Sequence, residues 1–227
     1  MRNTRIWHIS DLHMTPGEIA AASALGEIPE ADVAVILGDL SGDMRANLAW
    51  CARVVRPRMP VVYVPGNHDF RQRGIIQASA EGRHLARKLG LHYLDGDAAV
   101  VAGIRFVGGT FWSDFDVDSV GYGLPGEDTI RLNMESCLHK ADYRQNMYCE
   151  AMRQVLRPEH TAAIHDRTKG FIARTLARGF NGHTVVVTHH GCLPDATMRG
   201  YGPSPVHSSY TSDQRAMIEP HQPDMWL

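Results

Sequence analysis

VVYVPGNHDF, residues 61–70, sets an apolar, β-branched run against an abrupt polar end. The first half reads as a strand buried on both faces, because near-continuous Val and aromatic residues leave no polar side to turn to solvent. The second half stops on Gly66, Asn67, His68 and Asp69, where three side chains can bind metals or carry protons. Other apolar runs end the same way. Residues 5–9 (RIWHI) lead into Ser10-Asp11-Leu12-His13, and residues 31–37 (ADVAVIL) lead into Gly38-Asp39. Far along the chain, residues 184–188 (TVVVT) lead into His189-His190. Four strands each end in a carboxylate, an amide or an imidazole, and open α/β sheets bind ligands outside the carboxyl ends of their strands.

Between these strands the pattern turns helical. Leu48, Cys51, Ala52 and Val55 recur at helical spacing in residues 43–56, with Asp43 placed to cap the start and Pro57 to stop it. Residues 77–89 predict a second helix, closed by Gly90. Strand–helix–strand alternation implies crossover units and a mainly parallel first sheet. AVVAGIRFVGGTFW, residues 99–112, predicts two strands joined at Ala102-Gly103. Residues 113–140 are polar, lack a sustained period and read as a long loop. Residues 141–156 and 160–178 read as helices, 192–209 as a Gly/Pro/Ser-rich loop and 211–220 as a short closing helix.

The chain of 227 residues is expected to form one domain, 1–227, with a loop and helical insertion around 113–160. A formal charge of −2 argues against a general binder of nucleic acid or of membrane surfaces, since those need clustered Lys and Arg. No stretch approaches the ~20 apolar residues of a membrane span. No apolar leader segment follows Arg2 and Arg5. Cys51, Cys137, Cys149 and Cys192 have no paired spacing, which fits reduced thiols in a cytoplasmic protein.

Asp11 and His13 are two apart and project to one side of an extended segment. Mixed Asp, His and Asn donors suit Mn, Fe or Zn ions. A carboxylate shared by two ions ~3.5–4 Å apart gives the arrangement that activates water and steadies a transferring phosphoryl group. Asp114, Asp116 and Asp118 resemble a Ca²⁺ ladder, but the loop Gly and the twelfth-position Glu are absent, so they read as a solvated acidic loop. Arg131, Lys140, Arg144 and Arg199 are candidate phosphate contacts, and His190 is a substrate contact or a packing residue.

Asp11-x-His13, Gly38-Asp39, Gly66-Asn67-His68-Asp69 and Thr188-His189-His190, in that order, resemble the calcineurin-like metallophosphoesterase family. GGTFWSDF, residues 108–115, is similar to a segment of bacterial members. The resemblance implies two packed mixed β-sheets flanked by helices, an αββα sandwich, and a centre of two divalent ions (Mn, Fe or Zn). It implies that Asp11 and His13 bind one ion, Asn67 and His189 the other, and that Asp39 bridges them. It implies that His68 gives a proton to the leaving oxygen while Asp69 orients its ring, and that a metal-activated hydroxide attacks the phosphorus of a small phosphomonoester or phosphodiester. The family's closing Gly-His-x-His is absent before the final Leu227, so the chain is expected to stop short of its last ligands and last strands. His139, His165, His183, His207 and His221 are not expected to replace them. The alternative from another class is a non-catalytic or truncated member that keeps the fold as a binding or scaffold protein.

Overall fold

The computed structural model describes residues 4–22, 27–71, 73–124, 126–197 and 203–227. Strands β1 (Ile6–Ile9), β2 (Val33–Ile36), β3 (Val61–Tyr63) and β4 (His92–Tyr93) pair in that order, every pair parallel. The intervening segments carry helices α1 (Pro16–Ala21), α2 (Met44–Trp50) and α3 (Ile75–Leu89). Asp43 caps α2 as its position predicts, accepting from Arg45 N at 2.9 Å and Ala46 N at 3.3 Å. The predicted helix over 43–56 widens midway into a π-helical turn, Cys51–Val55.

β5 (Asp97–Val101) and β6 (Ile104–Gly109) form the expected antiparallel hairpin. Its turn, Ala102 at φ 50° and Gly103 at φ 80°, has the doubly left-handed backbone that matches strand twist. Next come α4 (Gly126–Cys137), α5 (Ala141–Gln145), a small ladder of β7 (Met147–Cys149) and β8 (Gln154–Val155), and α6 (Pro158–Leu176). β9 (Thr184–Thr188), α7 (Pro194–Thr197), α8 (Arg215–His221) and β10 (Met225–Trp226) follow. The second sheet is mixed, in the order β10-β9-β6-β5.

The period of two in the strands assigns the layers. Val33, Val35, Val62 and Val64 pack against Phe106, Val185 and Val187 between the sheets. Ala34, Ile36, Val61 and Tyr63 face Leu48, Trp50, Ile75 and Ala86 of the first helix layer. Val107 and Val186 face Ile172 and Met217 of the second. This is the expected sandwich of two sheets between helices, its first sheet wholly parallel rather than mixed.

Two expectations are corrected. Residues 113–140 are not one long loop, because they contain α4. The inward face of α4 carries Thr129, Asn133 and Cys137 fully buried beside the partly buried Ile130 and Met134, so its apolar period is interleaved with polar positions. Asn133 donates to the carbonyls of Phe115 and Val117 at 2.8 and 3.0 Å. Residues 141–156 are not one helix: α5 ends at Gln145, and the backbone turns extended at Asn146 to build the β7–β8 ladder. Among the described residues no helix is long and apolar enough to cross a membrane.

Candidate metal centre

The loops leaving β1 and β2 carry an unusual backbone. Asp11, His13 and Asp39 adopt left-handed φ values of 56°, 50° and 54°. Such a conformation costs a residue with a side chain roughly 1–2 kcal/mol. Hydrogen bonds hold it: Asp11 N donates to Gly38 O at 3.3 Å and His13 N to Asp39 O at 3.0 Å. Strain of this kind collects at functional sites. Glycine lets the loops close up. A Cβ on Gly66 would overlap Asp39 Oδ1 and come within 2.8 Å of His189 Cε1, so only glycine fits there.

Asp11, His13, Asp39, Asn67, His68 and His189 line one hollow of about 350 Å³, with His190, Gly191 and Tyr210 completing its wall. Asp39, 1% exposed, stands at the centre. Its Oδ2 lies 3.5 Å from His189 Nε2 and 3.9 Å from His68 Nε2, while Oδ1 accepts from His68 N at 2.9 Å. His13 Nε2 is 3.4 Å from Asp11 Oδ1. His189 Nδ1 donates to Leu37 O at 2.6 Å, a bond from the second sheet to the first, and this turns Nε2 towards Asp39 and Asn67 Oδ1. Two groups have their ligand atoms within 4.8 Å of one another: His13, Asp39 and His68, and Asp11, Asp39 and His189. Donors sharing one ion at about 2.0–2.2 Å lie about 3–3.5 Å apart, so this donor set fits cations that share Asp39. The grouping differs from the expected one, since His68 stands with His13, and Asp11 with His189.

Electrostatics point the same way. Burial raises Asp39, but the hydrogen bond and charge of His189, then the charge of His68, outweigh it and hold the carboxyl below the usual range. Burial lowers His189, but the hydrogen bond and charge of Asp39, with the charge of Asp11, overcome it and lift the imidazole to about 9. In the metal-free chain a proton on His189 therefore supplies the positive charge that two carboxylates demand. Its stabilisation is complete below the unfolded value of 6.5 and is lost as pH rises through about 9. Asp69, held at about 6, acts below that window, and Lys140, lowered to about 8, adds stability only above it. His68, His160, His165 and His190, each held below the ordinary histidine range first of all by burial, gain stability within that window and oppose His189. The His189 share of the pH dependence is on the order of 1.5 kcal/mol between pH 6.5 and 8, read on chelated protein as a Tm that falls by about 3–6 °C relative to His189→Gln over that range. The same pH dependence of Tm in wild type and His189→Gln would show that His189 is not so charged.

One expected role is corrected. Asp69 does not hold the His68 ring. Its Oδ1 accepts from Tyr63 Oη at 2.6 Å and Asn47 Nδ2 at 2.7 Å, and its Oδ2 from Gly66 N at 2.7 Å and Asp39 N at 3.1 Å. His68 and Asp69 lie in a 3-10 turn, His68–Phe70. Successive side chains there diverge by about 120°, sending one into the hollow and the other under it. The groups that meet the His68 ring are Arg71, whose Nη2 lies 2.8 Å from Nε2, and the His13 ring, 4.6 Å away between centroids.

The expected phosphate contacts scatter. Arg131 lies on the exposed side of α4, paired with Asp128 at 3.2 Å and Glu135 at 3.5 Å, and lines a different hollow. Arg144 is exposed on α5 and does not line the metal hollow. Arg199 lies outside the described residues. Lys140 is near the site but engaged: it bonds Ser209, stands 3.8 Å from Asp142 and lies 3.3 Å from the centroid of the Tyr210 ring. His190 is 5% exposed, and neither ring nitrogen makes a well-formed hydrogen bond. Trp112 meets it edge-on at 5.4 Å between ring centroids. Trp112 belongs to residues 108–115, where Phe111, Trp112 and Phe115 take left-handed φ values of 73°, 43° and 61°. His165 on α6 braces that segment through Phe111 O at 2.8 Å. Tyr210 and Asp142 were not singled out from the sequence. Asp142 accepts from Asn67 Nδ2 at 3.0 Å, and no local pattern marks a contact between residues so far apart in the chain.

The structure is similar to that of a phosphopantetheinyl hydrolase from Mycobacterium tuberculosis, with a TM-score of 0.65 and 18% identity, over 92% of this chain and 76% of that one. The TT1561 protein of Thermus thermophilus also matches, with a TM-score of 0.49 and 14% identity, over 99% of this chain and 80% of that one. No curated protein sequence matches. At 18% identity the first of these structures establishes the fold alone. The family model described as calcineurin-like phosphoesterase matches residues 4–217, a span that takes in every strand tip of the hollow. On that match, this chain belongs to the calcineurin-like phosphoesterase family.

Proposed function

We propose that the protein is a cytoplasmic hydrolase that cleaves a small phosphomonoester or phosphodiester at a centre of two divalent ions, Mn, Fe or Zn. The observation that carries this is the convergence of Asp11, His13, Asp39, Asn67, His68 and His189 on one hollow around the buried Asp39. Asp39, shared by both groups of donors, would hold both ions, with Asp11, His13, Asn67 and His189 completing their donor sets. Bound there, the ions would supply Lewis-acid charge neutralisation and an acidified water. We take residues 1–227 as one domain, with 113–160 inserted beside the hollow.

The chain's own contribution to bond cleavage is His68, which reaches the hollow half-buried. Burial lowers its pKa, and although Asp39 pulls it up, Arg71 and His13 push it down further. The free ring is therefore neutral at neutral pH, and an anionic phosphoryl group beside it is what recharges it as a proton donor. His68→Asn should lower p-nitrophenol release about 100-fold or more, measured with p-nitrophenyl phosphate and bis(p-nitrophenyl) phosphate at saturating Mn²⁺. Metal content per chain, counted by plasma mass spectrometry, should stay unchanged. If metal content falls with the rate, His68 is a ligand and not the acid. No release from either ester with Mn²⁺, Fe²⁺ or Zn²⁺ overturns the reading.

A further inference from the structure

We propose that Asp142 is a positioning residue for Asn67, fixing which end of its amide faces the metal centre, and that Lys140 holds Asp142 in place. This rests on the reading of Asn67 as a metal ligand. An amide side chain is ambiguous, because oxygen and nitrogen have nearly the same shape and either could face the hollow. Only the oxygen can bind a cation. Asn67 is 4% exposed, so no bulk water selects between the two orientations. Its Oδ1 lies 3.0 Å from His189 Nε2 and its Nδ2 donates to Asp142 Oδ1 at 3.0 Å. An ionised carboxylate only accepts, so Asp142 can face the NH₂ end alone and sends the oxygen to the hollow. A carboxylate on the far side of a ligand also makes that ligand a better donor, as carboxylates do behind metal-bound histidines.

A buried carboxylate needs a partner of its own. The Asp142 side chain is 9% exposed and that of Lys140 12%, with Nζ 3.8 Å from Asp142 Oδ2. Lys140 also bonds Ser209 and caps the face of the Tyr210 ring, and Tyr210 lines the hollow. Asn67, Asp142, Lys140 and Tyr210 thus form one polar chain through the wall. Residues 140–142 therefore belong to the metal centre itself, and a change in the insertion can alter metal binding without touching a ligand.

The test is a double-mutant cycle on the full chain, with Mn²⁺ binding followed by titration calorimetry and by the electron paramagnetic resonance of free Mn²⁺. Asp142→Asn keeps the volume but removes the charge and the one-way acceptor. In the wild-type background it should weaken the affected Mn²⁺ site about 10–100-fold. In an Asn67→Ala background it should change affinity less than about 2-fold, because nothing is left to orient. Equal losses in both backgrounds, or an unchanged affinity with only a lower Tm, overturn the proposal and leave Asp142 a packing residue. If Asp142→Asn does not fold, Lys140→Met serves instead. Its loss of affinity should likewise vanish in the Asn67→Ala background, and persistence of the loss overturns the proposal. If the wild-type chain binds no Mn²⁺, the metal-centre reading itself fails and this inference falls with it.

Discussion

Asp39→Asn should abolish phosphate release and weaken Mn²⁺ binding more than about 100-fold, since partners one step behind a ligand already account for about 10–100-fold. Three features of Asp39 place the effect there. It is common to both groups of donor atoms. Its Oδ1 is engaged with His68 N at 2.9 Å, so the single oxygen of an asparagine would have to choose between that loop and a cation. The amide also carries no charge with which to neutralise a divalent ion.

The same variant separates loss of the site from loss of the fold. Asparagine matches aspartate in volume, so the inter-sheet core of Val33, Val35, Phe106 and Val187 is untouched. His189, however, loses the partner that overcomes its burial, and its imidazole should then stay neutral. The contribution of the His189 proton between pH 6.5 and 8 should therefore be missing from Asp39→Asn, so that from pH 6.5 to 8 the Tm of the chelated wild type falls by about 3–6 °C relative to that of the variant. Unchanged Mn²⁺ affinity in the variant would show that the cations are not centred on Asp39. Lost affinity with the wild-type pH dependence of Tm retained would show that His189 is charged for another reason.

How much of this the sequence could reveal depends on the range of the interactions. The tips of β2, β3 and β9 are legible because each combines two local signals, a run buried on both faces and a glycine beside the polar residues that end it, while β1 is legible only from Asp11 and His13 after its apolar run. The glycine signal also makes the β5–β6 turn legible, at Ala102-Gly103. Helix α4 is harder to read, because two of its three fully buried positions, Thr129 and Asn133, are polar, and they dilute the apolar spacing of Ile130, Met134 and Cys137. Residues 141–156 mislead in the opposite sense. Their composition suits a helix, but Asp142 and Tyr143 are drawn into the core and the chain is redirected at Asn146. Asp142 acts only once folding brings it to Asn67. Asp69 sits beside His68 in sequence yet faces away from it in space, and only the 3-10 turn reveals that.

That correction carries the largest expected effect on stability. Asp69→Ala should destabilise the fold by on the order of 4 kcal/mol, as opposing effects indicate. Asp69 is 3% exposed and its burial, followed by the charge of Asp39, raises its carboxyl to about 6, so removing the charge at neutral pH returns about 3 kcal/mol. Against this, the four donors of Tyr63, Asn47, Gly66 and Asp39 would be left in the core without an acceptor, at about 1–3 kcal/mol each, beside a new cavity. The unpaired donors win. Tm should fall by about 8–16 °C at roughly 2–4 °C per kcal/mol for a chain of this size. Two of those donors are the backbone N–H groups of Asp39 and Gly66, so the two ligand loops should loosen and Mn²⁺ affinity drop alongside Tm. Had Asp69 served to orient His68, the fold would survive its loss and the pH profile of phosphate release would shift instead. A near-native Tm in Asp69→Ala, with only that profile changed, would restore the ring-orienting role.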